Sequence, residues 1–532
     1  MIAKLSKDNK WVDLQNMTRL EMDQLNMYFT KKISNWFIIK KTAPYANINE
    51  SFIMDNHVLP VGLWVELCNA CKKYNLKLDF EKDFFSRILD NDLTEEGFNL
   101  YISDLFKDSK IKPKDYQIKG AYSILKYKKD CVEISTSGGK TMVCYMVFKF
   151  LNEIKNIRHI LYVTPKTVLT TQSSDKFKEY DSFCGLESTW TFGEIHADAK
   201  KQKEYDEDIV FGNYQSLCKK PKDFFKQYDC VIVDEAHHTV AKSIQTILYK
   251  CSDASYKIGL TGTFPKSGEY ENFMLQTYIG PLVYRFTSYE LIKQEKFATP
   301  VHVYGIKLSY LTEEEKRALY LKRKNKDRED PTSGSELLNE EREICRSSKK
   351  RFNWVCDFAA KMTKNTLIIF TDIKTEYGHR IYERLKENTD KNVFYIDGKT
   401  PTSVREKITE DMENDTTGNT IIVSSIGCFS EGIDIKNLWN IILVESMKSE
   451  ILIAQLLGRG MRRYEGKPFT KMFDICDDYC WGEAHDYYHD NYLMKHYKER
   501  TKIYRERKFD FMGEYSEDLN KNVLYYNGLT QI

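Results

Sequence analysis

Apolar residues in this chain fall into short, dense runs separated by longer amphipathic stretches. Residues 131–134, 160–163, 231–233 and 258–260 form one set, and residues 366–370, 393–396, 420–423 and 441–444 form a second. Runs of that length without polar alternation read as strands buried on both faces, and the stretches between them have room for crossover helices. The pattern predicts two similar α/β units in tandem, each built on a parallel sheet. Ahead of the first set, apolar positions recur at helical spacing over residues 61–74 after Pro60, which predicts a helix. Residues 312–350 are highly charged and broken by Asp330-Pro331-Thr332-Ser333-Gly334, the pattern of two solvated helices around a turn. From His485 to Phe511 the tail mixes Tyr488, Tyr492, Tyr497 and Tyr504 with Lys498, Arg500, Lys502 and Arg505. It predicts helices packed on the second unit with a basic outer face.

Composition narrows the picture in three ways. A chain of 532 residues with 42% hydrophobic content has core enough for three or four domains. Lys+Arg total 80 against 78 Asp+Glu, so a nucleic-acid partner would be met by local basic surfaces and not by a global field. Thirteen cysteines without an export signal at Met1, and without an apolar run long enough to span a bilayer, predict free thiols in a soluble cytoplasmic protein with no membrane partner.

Candidate chemistry begins at Ser135-Thr136-Ser137-Gly138-Gly139-Lys140-Thr141, between a predicted strand and a predicted helix. Such a small-residue loop aims backbone N–H groups at phosphates, adds the Lys140 cation and offers the Thr141 hydroxyl to Mg²⁺. The leading glycine usual five positions before Gly139 is absent, since Ile134 stands there. Asp234-Glu235-Ala236-His237 follows Val231-Ile232-Val233, so two carboxylates emerge at the carboxyl edge of a sheet. Asp234 is expected to hold the metal and Glu235 to take the proton of the attacking water. Upstream, Tyr116 and Gln117 supply a ring and an amide suited to an adenine edge; the same segment also reads as a capped helix start. Near the other end, Arg459 and Arg462 lie three apart, on one face of a helix, suited to a shared γ-phosphate.

Together these residues resemble superfamily 2 helicases of the DEAH type. Tyr116-Gln117, the Gly-Lys-Thr loop, Thr164-Pro165-Lys166, Asp234 to His237, Thr261-Gly262-Thr263, Ser430-Glu431-Gly432-Ile433-Asp434 and Gln455 to Arg462 occur in that family's order. Leu59-Pro60-Val61-Gly62-Leu63, Leu169-Thr170-Thr171-Gln172 and Asn491-Tyr492-Leu493 with Lys495-His496 extend the similarity to the UvsW-like phage DNA helicases. The resemblance implies two RecA-like domains at residues 106–300 and 301–480, an α+β amino-terminal DNA-binding domain at 1–105 and a helical extension at 481–532. It implies ATP and Mg²⁺ as cofactors, Gly432 and Asp434 at the nucleotide, and Gln455 orienting the water. Thr164, Pro165, Lys166, Tyr214, Gln215, Thr371, Lys374, Ser424 and Ser425 would contact phosphates and sugars, although each alone reads equally as a capped loop end. The implied activity is ATP-driven unwinding and branch migration on single-stranded and branched DNA in recombination, repair and replication. Single-strand-binding and recombination proteins are the implied partners, and a host cytoplasm the location if phage-encoded. An RNA helicase, a restriction-system motor and an ATP-switched annealing protein stay open as alternatives. Trp36 and Phe37 are expected to fill a small core, and Cys476, Cys480, His485 and His489 are expected not to bind zinc.

Overall fold

The computed structural model describes every residue except 35, 37–38, 41–42, 44, 55, 136–137, 166, 188–189, 197–204, 294–297, 330–333, 372–375, 431–434, 483–487 and 521–532, and the side chains of 167–173, 327–329 and 430. The chain divides into two units, Met1–Phe286 and Thr287–Ile532.

The first unit opens with a small sheet. Strands β1 (Ile2–Leu5) and β2 (Trp11–Gln15) pair antiparallel, and a separate hairpin joins β3 (Thr30–Lys32) to β4 (Asn49–Ser51). β5 (Val58–Pro60) and β6 (Asp79–Phe80) complete the order β5-β2-β1-β6. The expected helix after Pro60 is present as a 3₁₀ turn, Val61–Leu63, running into an α-helix, Trp64–Tyr74. Its apolar face joins Ala3, Val12, Leu25, Phe29 and Leu59 in a core that also contains Phe273 and Met274. Those two belong to the helix Tyr270–Tyr278, so the amino-terminal region and the larger α/β part of this unit share a core. Gly62 permits the close approach, since a Cβ there would stand 1.9 Å from the Gln276 carbonyl oxygen.

Seven parallel strands then form the main sheet: β7 (Lys129–Ile134), β8 (Ile160–Thr164), β9 (Phe192–Ile195), β10 (Ile209–Asn213), β11 (Cys230–Asp234), β12 (Tyr256–Thr261) and β13 (Leu282–Phe286). Their order, β13-β7-β12-β11-β8-β10-β9, places β11 and β7 on either side of β12. The loops after β7, β8, β10 and β11 therefore all leave one edge, where ligands of parallel sheets sit.

A second seven-stranded parallel sheet contains β14 (Val301–Ser309), β15 (Thr366–Phe370), β16 (Asn392–Ile396), β17 (Thr420–Ser425), β18 (Asn440–Leu443), β19 (Thr470–Asp477) and β20 (Asp510–Asp518), in the order β16-β17-β15-β18-β19-β14-β20. The apolar runs of the sequence lie on β7, β8, β11, β12, β15, β16, β17 and β18. β14 and β20 carry polar residues that hid them. Beyond the helix Tyr492–Glu506, the carboxyl-terminal segment thus adds a strand beside β14.

The charged stretch forms the helices Glu313–Glu329 and Gly334–Ser347, but it is not wholly solvated. Arg323 and Glu341 are both buried and lie 3.4 Å apart. The tail helix differs from expectation in the same way. Lys498, Lys502 and Arg505 face solvent, whereas Arg500 is fully buried against Asp474 of β19. Its Nε and Nη2 donate to the Asp474 carboxylate at 2.8–3.1 Å, Nη1 donates to the Met447 carbonyl, and the Tyr504 hydroxyl donates to the same carboxylate. Truncating Arg500 to alanine leaves a buried carboxylate unpaired. It is expected to cost about 3–5 kcal/mol in denaturant unfolding of this unit.

Candidate functional site

The loop after β7 turns into the helix Lys140–Glu153. Gly139 sits at φ 75°, a left-handed conformation favouring glycine, and a Cβ there would meet Gln117 Nε2 at 2.4 Å. Gln117 secures the loop from behind: its Nε2 donates to the Gly138 carbonyl at 3.0 Å and its Oε1 accepts the Lys114 N–H at 2.9 Å. The Tyr116 hydroxyl donates to the same Gly138 carbonyl at 2.9 Å. The Tyr116 ring stacks on Phe286 at the end of β13, with centroids 4.0 Å apart and planes 3° from parallel. Phe286 escaped the sequence reading, although an aromatic residue closing a strand is its only local signal. The Gln117 amide, expected at an adenine edge, is thus engaged with backbone on both of its atoms. Ser137 lies outside the described residues.

Asp234 ends β11, and Glu235 follows at φ 49°. The Glu235 N–H donates to Asp234 Oδ1 at 2.9 Å, and Glu235 Oε1 lies 3.8 Å from Lys140 Nζ. Phosphate-loop cation and acidic pair, ninety-odd residues apart in sequence, therefore meet at one point. Burial, then the neighbouring Glu235 carboxylate, pushes Asp234 up to about 6, against the pull of the Lys140 ammonium. Thr141, the other expected metal ligand, stands beside Lys140 in the first turn of the helix and is half-buried.

His237 links this point to the end of β12. The Thr261 hydroxyl donates to the Thr263 carbonyl at 2.8 Å, so its oxygen accepts from His237 Nδ1 at 3.0 Å. His237 Nδ1 also lies 3.4 Å from Glu235 Oε2. Burial pushes His237 down to about 4, which keeps the imidazole neutral near pH 7 with its proton on Nδ1.

Thr164 and Pro165 at the end of β8 stand beside Asn213, Tyr214 and Gln215 at the end of β10, with Thr164 paired to Asn213 in register. The Asn213 side chain joins the two loops: its Nδ2 donates to the Pro165 carbonyl at 3.1 Å and its Oδ1 accepts the Gln215 N–H at 2.8 Å. Thr164 itself is buried, and Lys166 lies outside the described residues. In the second unit Thr371 follows β15, whose last residue pairs with Ser425 at the end of β17. Glu445 accepts both the N–H and the hydroxyl of Thr371, at 2.6 and 3.0 Å, and pairs through its other oxygen with Arg346 at 2.6 Å. Ser424 and Ser425 are buried, and Ser425 Oγ has no hydrogen-bond partner among the described residues. Lys374, Gly432 and Asp434 lie outside the described residues.

Gln455 and Arg459 lie on the helix Glu450–Gly460, each half-buried. Arg462 lies just past the helix end, and its N–H donates to the Arg459 carbonyl at 3.2 Å, a turn that keeps the i, i+3 relation. The Arg459 guanidinium sits 5.4 Å from the centroid of Phe429. Lys467 braces this end: buried, it donates to the carbonyls of Lys436, Leu438 and Gly460 at 2.9, 3.1 and 3.3 Å, and burial pushes it down to about 7.

Two sequence expectations outside these loops change or sharpen. Trp36 is 39% exposed with Lys32 Nζ 4.8 Å over its ring, not core; Phe37 lies outside the described residues. Cys476 is buried on β19 against Leu493 and Met494, apart from the grouping of Cys480, His489 and Asp490, and His485 lies outside the described residues.

Residues 110–266 match the family described as type III restriction enzyme, res subunit, and residues 350–464 match the helicase conserved C-terminal domain. The chain is 27% identical over 470 residues to the ATP-dependent DNA helicase UvsW of Enterobacteria phage T4, covering 86% of this chain and 88% of the relative. The chain belongs to helicase superfamily 2. This helicase is an ATP-hydrolysing enzyme that acts on nucleic acid. The DNA 3′–5′ translocase XPB2 of Sulfurisphaera tokodaii is 23% identical to it, over 79% of this chain and 94% of the relative. The type ISP restriction-modification enzyme LlaBIII, solved bound to DNA, shares its fold at a TM-score of 0.53 and 15% identity, over 82% of this chain and 32% of that one. Among the described residues, no helix is long and apolar enough to cross a membrane.

Proposed function

We propose that this helicase is an ATP- and Mg²⁺-dependent DNA motor that remodels branched DNA: it migrates junctions, regresses stalled forks and unwinds displacement loops. The observation that carries the reading is the 27% identity to a DNA helicase over 86% of the chain, a span longer than the segment from Tyr116 to Arg462 that carries the motor motifs.

In this reading Gly138, Gly139 and Lys140 cradle the triphosphate, and Glu235 accepts the proton of the attacking water, which Gln455 orients. Arg459 and Arg462 supply positive charge to the γ-phosphate as it transfers. Tyr116 and Gln117 shape the base end of the site. A hydroxyl at Thr141 and a buried carboxylate at Asp234 are hard oxygen donors that suit Mg²⁺, which would polarise the β- and γ-phosphate oxygens. Thr164, Pro165, Tyr214, Gln215 and Thr371, with Ser424 and Ser425 beneath, form strand-end loops that hold a phosphate backbone without reading bases.

The test is ATP hydrolysis and strand separation with no nucleic acid, single-stranded DNA, four-way or forked DNA, and RNA of matching sequence. Strong stimulation by branched DNA, with products appearing alongside hydrolysis, is the expected result. Stimulation by RNA alone would move the protein to RNA.

The shift at Asp234 gives a pH dependence. Its proton affinity is raised in the folded state, so its contribution to metal-free stability is greatest at acid pH and is lost as pH rises through about 6. Metal binding needs the ionised form, so affinity for Mg²⁺ should fall by up to about tenfold per unit below that value. Thermal unfolding should show a Mg²⁺-dependent rise in Tm at pH 7.5 that is nearly gone at pH 5.

A further inference from the structure

The first unit contains a second cationic site on the edge of its main sheet opposite the phosphate loop. A cavity of about 420 Å³ lies between the amino-terminal sheet and the starts of β7, β12 and β13. Lys10 and Arg87 reach it from the amino-terminal region, and Lys128 and Lys129 from the entry to β7. Trp64 and Tyr127 supply aromatic wall. An adjoining cavity of about 610 Å³ shares Lys10 and Lys129 and adds Lys222 and Lys257.

Charge in these cavities is out of balance. Asp253 takes Lys10 at 3.2 Å, Arg87 is met by Glu81 at 3.8 Å, Asp8 accepts from the Ser6 hydroxyl at 2.6 Å, and Glu50 is engaged by the Tyr270 hydroxyl. Lys257 Nζ donates only to the Leu248 carbonyl, and neither Lys129 nor Lys257 has a carboxylate within ion-pair distance among the described residues. Burial first, and then Lys129, pushes Lys257 down to about 8; burial and then Lys10 lower Lys129. Two half-buried ammonium groups that stand in register on neighbouring strands and face one cavity are costly by themselves. An anion with two or more charges removes that cost.

We propose that the larger cavity binds a phosphate-bearing ligand no larger than a mononucleotide, its phosphate held between Lys129 and Lys257. The volume suits a small molecule and excludes a duplex. Lys10 comes from the amino-terminal region while Lys129 and Lys257 belong to the main sheet, so the ligand would brace one against the other. The same phosphate chemistry is offered by a free nucleotide and by the terminal phosphate of a DNA strand.

The experiment uses the full chain carrying Lys140→Ala, which silences the loop after β7. Pyrophosphate, AMP, and a short oligonucleotide with or without a 5′-phosphate are the probes, read by Tm and by mass-spectrometric mapping of lysine acetylation. A saturable Tm rise of at least about 2 °C is expected, with Lys129 and Lys257 protected from acetylation. The Tm rise should vanish when Lys129→Met and Lys257→Met are added, a change that removes the two charges and preserves volume. A response to pyrophosphate and AMP supports a free ligand, and a response confined to the phosphorylated oligonucleotide supports a strand end. No saturable response to any probe overturns the proposal, as does binding unchanged in the methionine variant or absence of protection in the parent.

Discussion

A Glu235→Gln variant should bind ATP normally and hydrolyse it about 10²–10⁴-fold more slowly than the parent. The carboxylate lies 3.8 Å from Lys140 Nζ and 3.4 Å from His237 Nδ1, so its position is fixed from two sides. Glutamine keeps the shape and the backbone N–H bond to Asp234 but cannot take a proton. Single-turnover hydrolysis, with nucleotide binding measured separately, isolates the effect on the chemical step. DNA unwinding should disappear while any annealing of complementary strands survives. Hydrolysis within threefold of the parent would remove Glu235 from the role of base.

Alanine at Arg462 should produce the other large loss, about 10³–10⁵-fold in kcat with KM little changed, if its charge acts mainly on the transition state. The backbone turn joining Arg462 to Arg459 and the brace from Lys467 present the pair in a fixed relation. Lysine at Arg462 should recover little, because a point charge lacks the planar fork that engages two phosphate oxygens. Arg459→Ala should be less selective, since it also removes a cation packed over Phe429, and a fall in Tm should accompany its loss of rate. Equal losses in kcat and Tm for both variants would reduce the pair to a structural role.

Much of this molecule is legible in the chain because its chemistry is contiguous. The phosphate loop, the acidic pair and the arginine pair each occupy a few consecutive residues at the end of a strand or helix. Both sets of strands announce themselves as apolar runs, although β16, expected to be buried on both faces, lies at the edge of its sheet and is only partly buried. Other parts depend on partners distant in sequence. Phe286 stacks on Tyr116, Glu445 holds Thr371, and Lys467 braces the helix that carries Arg459; no spacing rule joins those pairs. β19 carries Asp474 and Asp477 within its apolar pattern, and their charges are met by Arg500 and Arg351 from distant helices.

The sequence by itself determined that there are two parallel α/β units, and the order in which the candidate nucleotide-binding segments occur along the chain. Those features follow from local periodicity and from which residue types end a strand. Only the tertiary structure decided which charges are buried and against what. It turned Arg500 inward, left Trp36 partly in solvent and set Lys129 beside Lys257 around a cavity. Burial and electrostatic pairing are properties of neighbours in space, and the residues that supply them here lie tens to hundreds of positions apart.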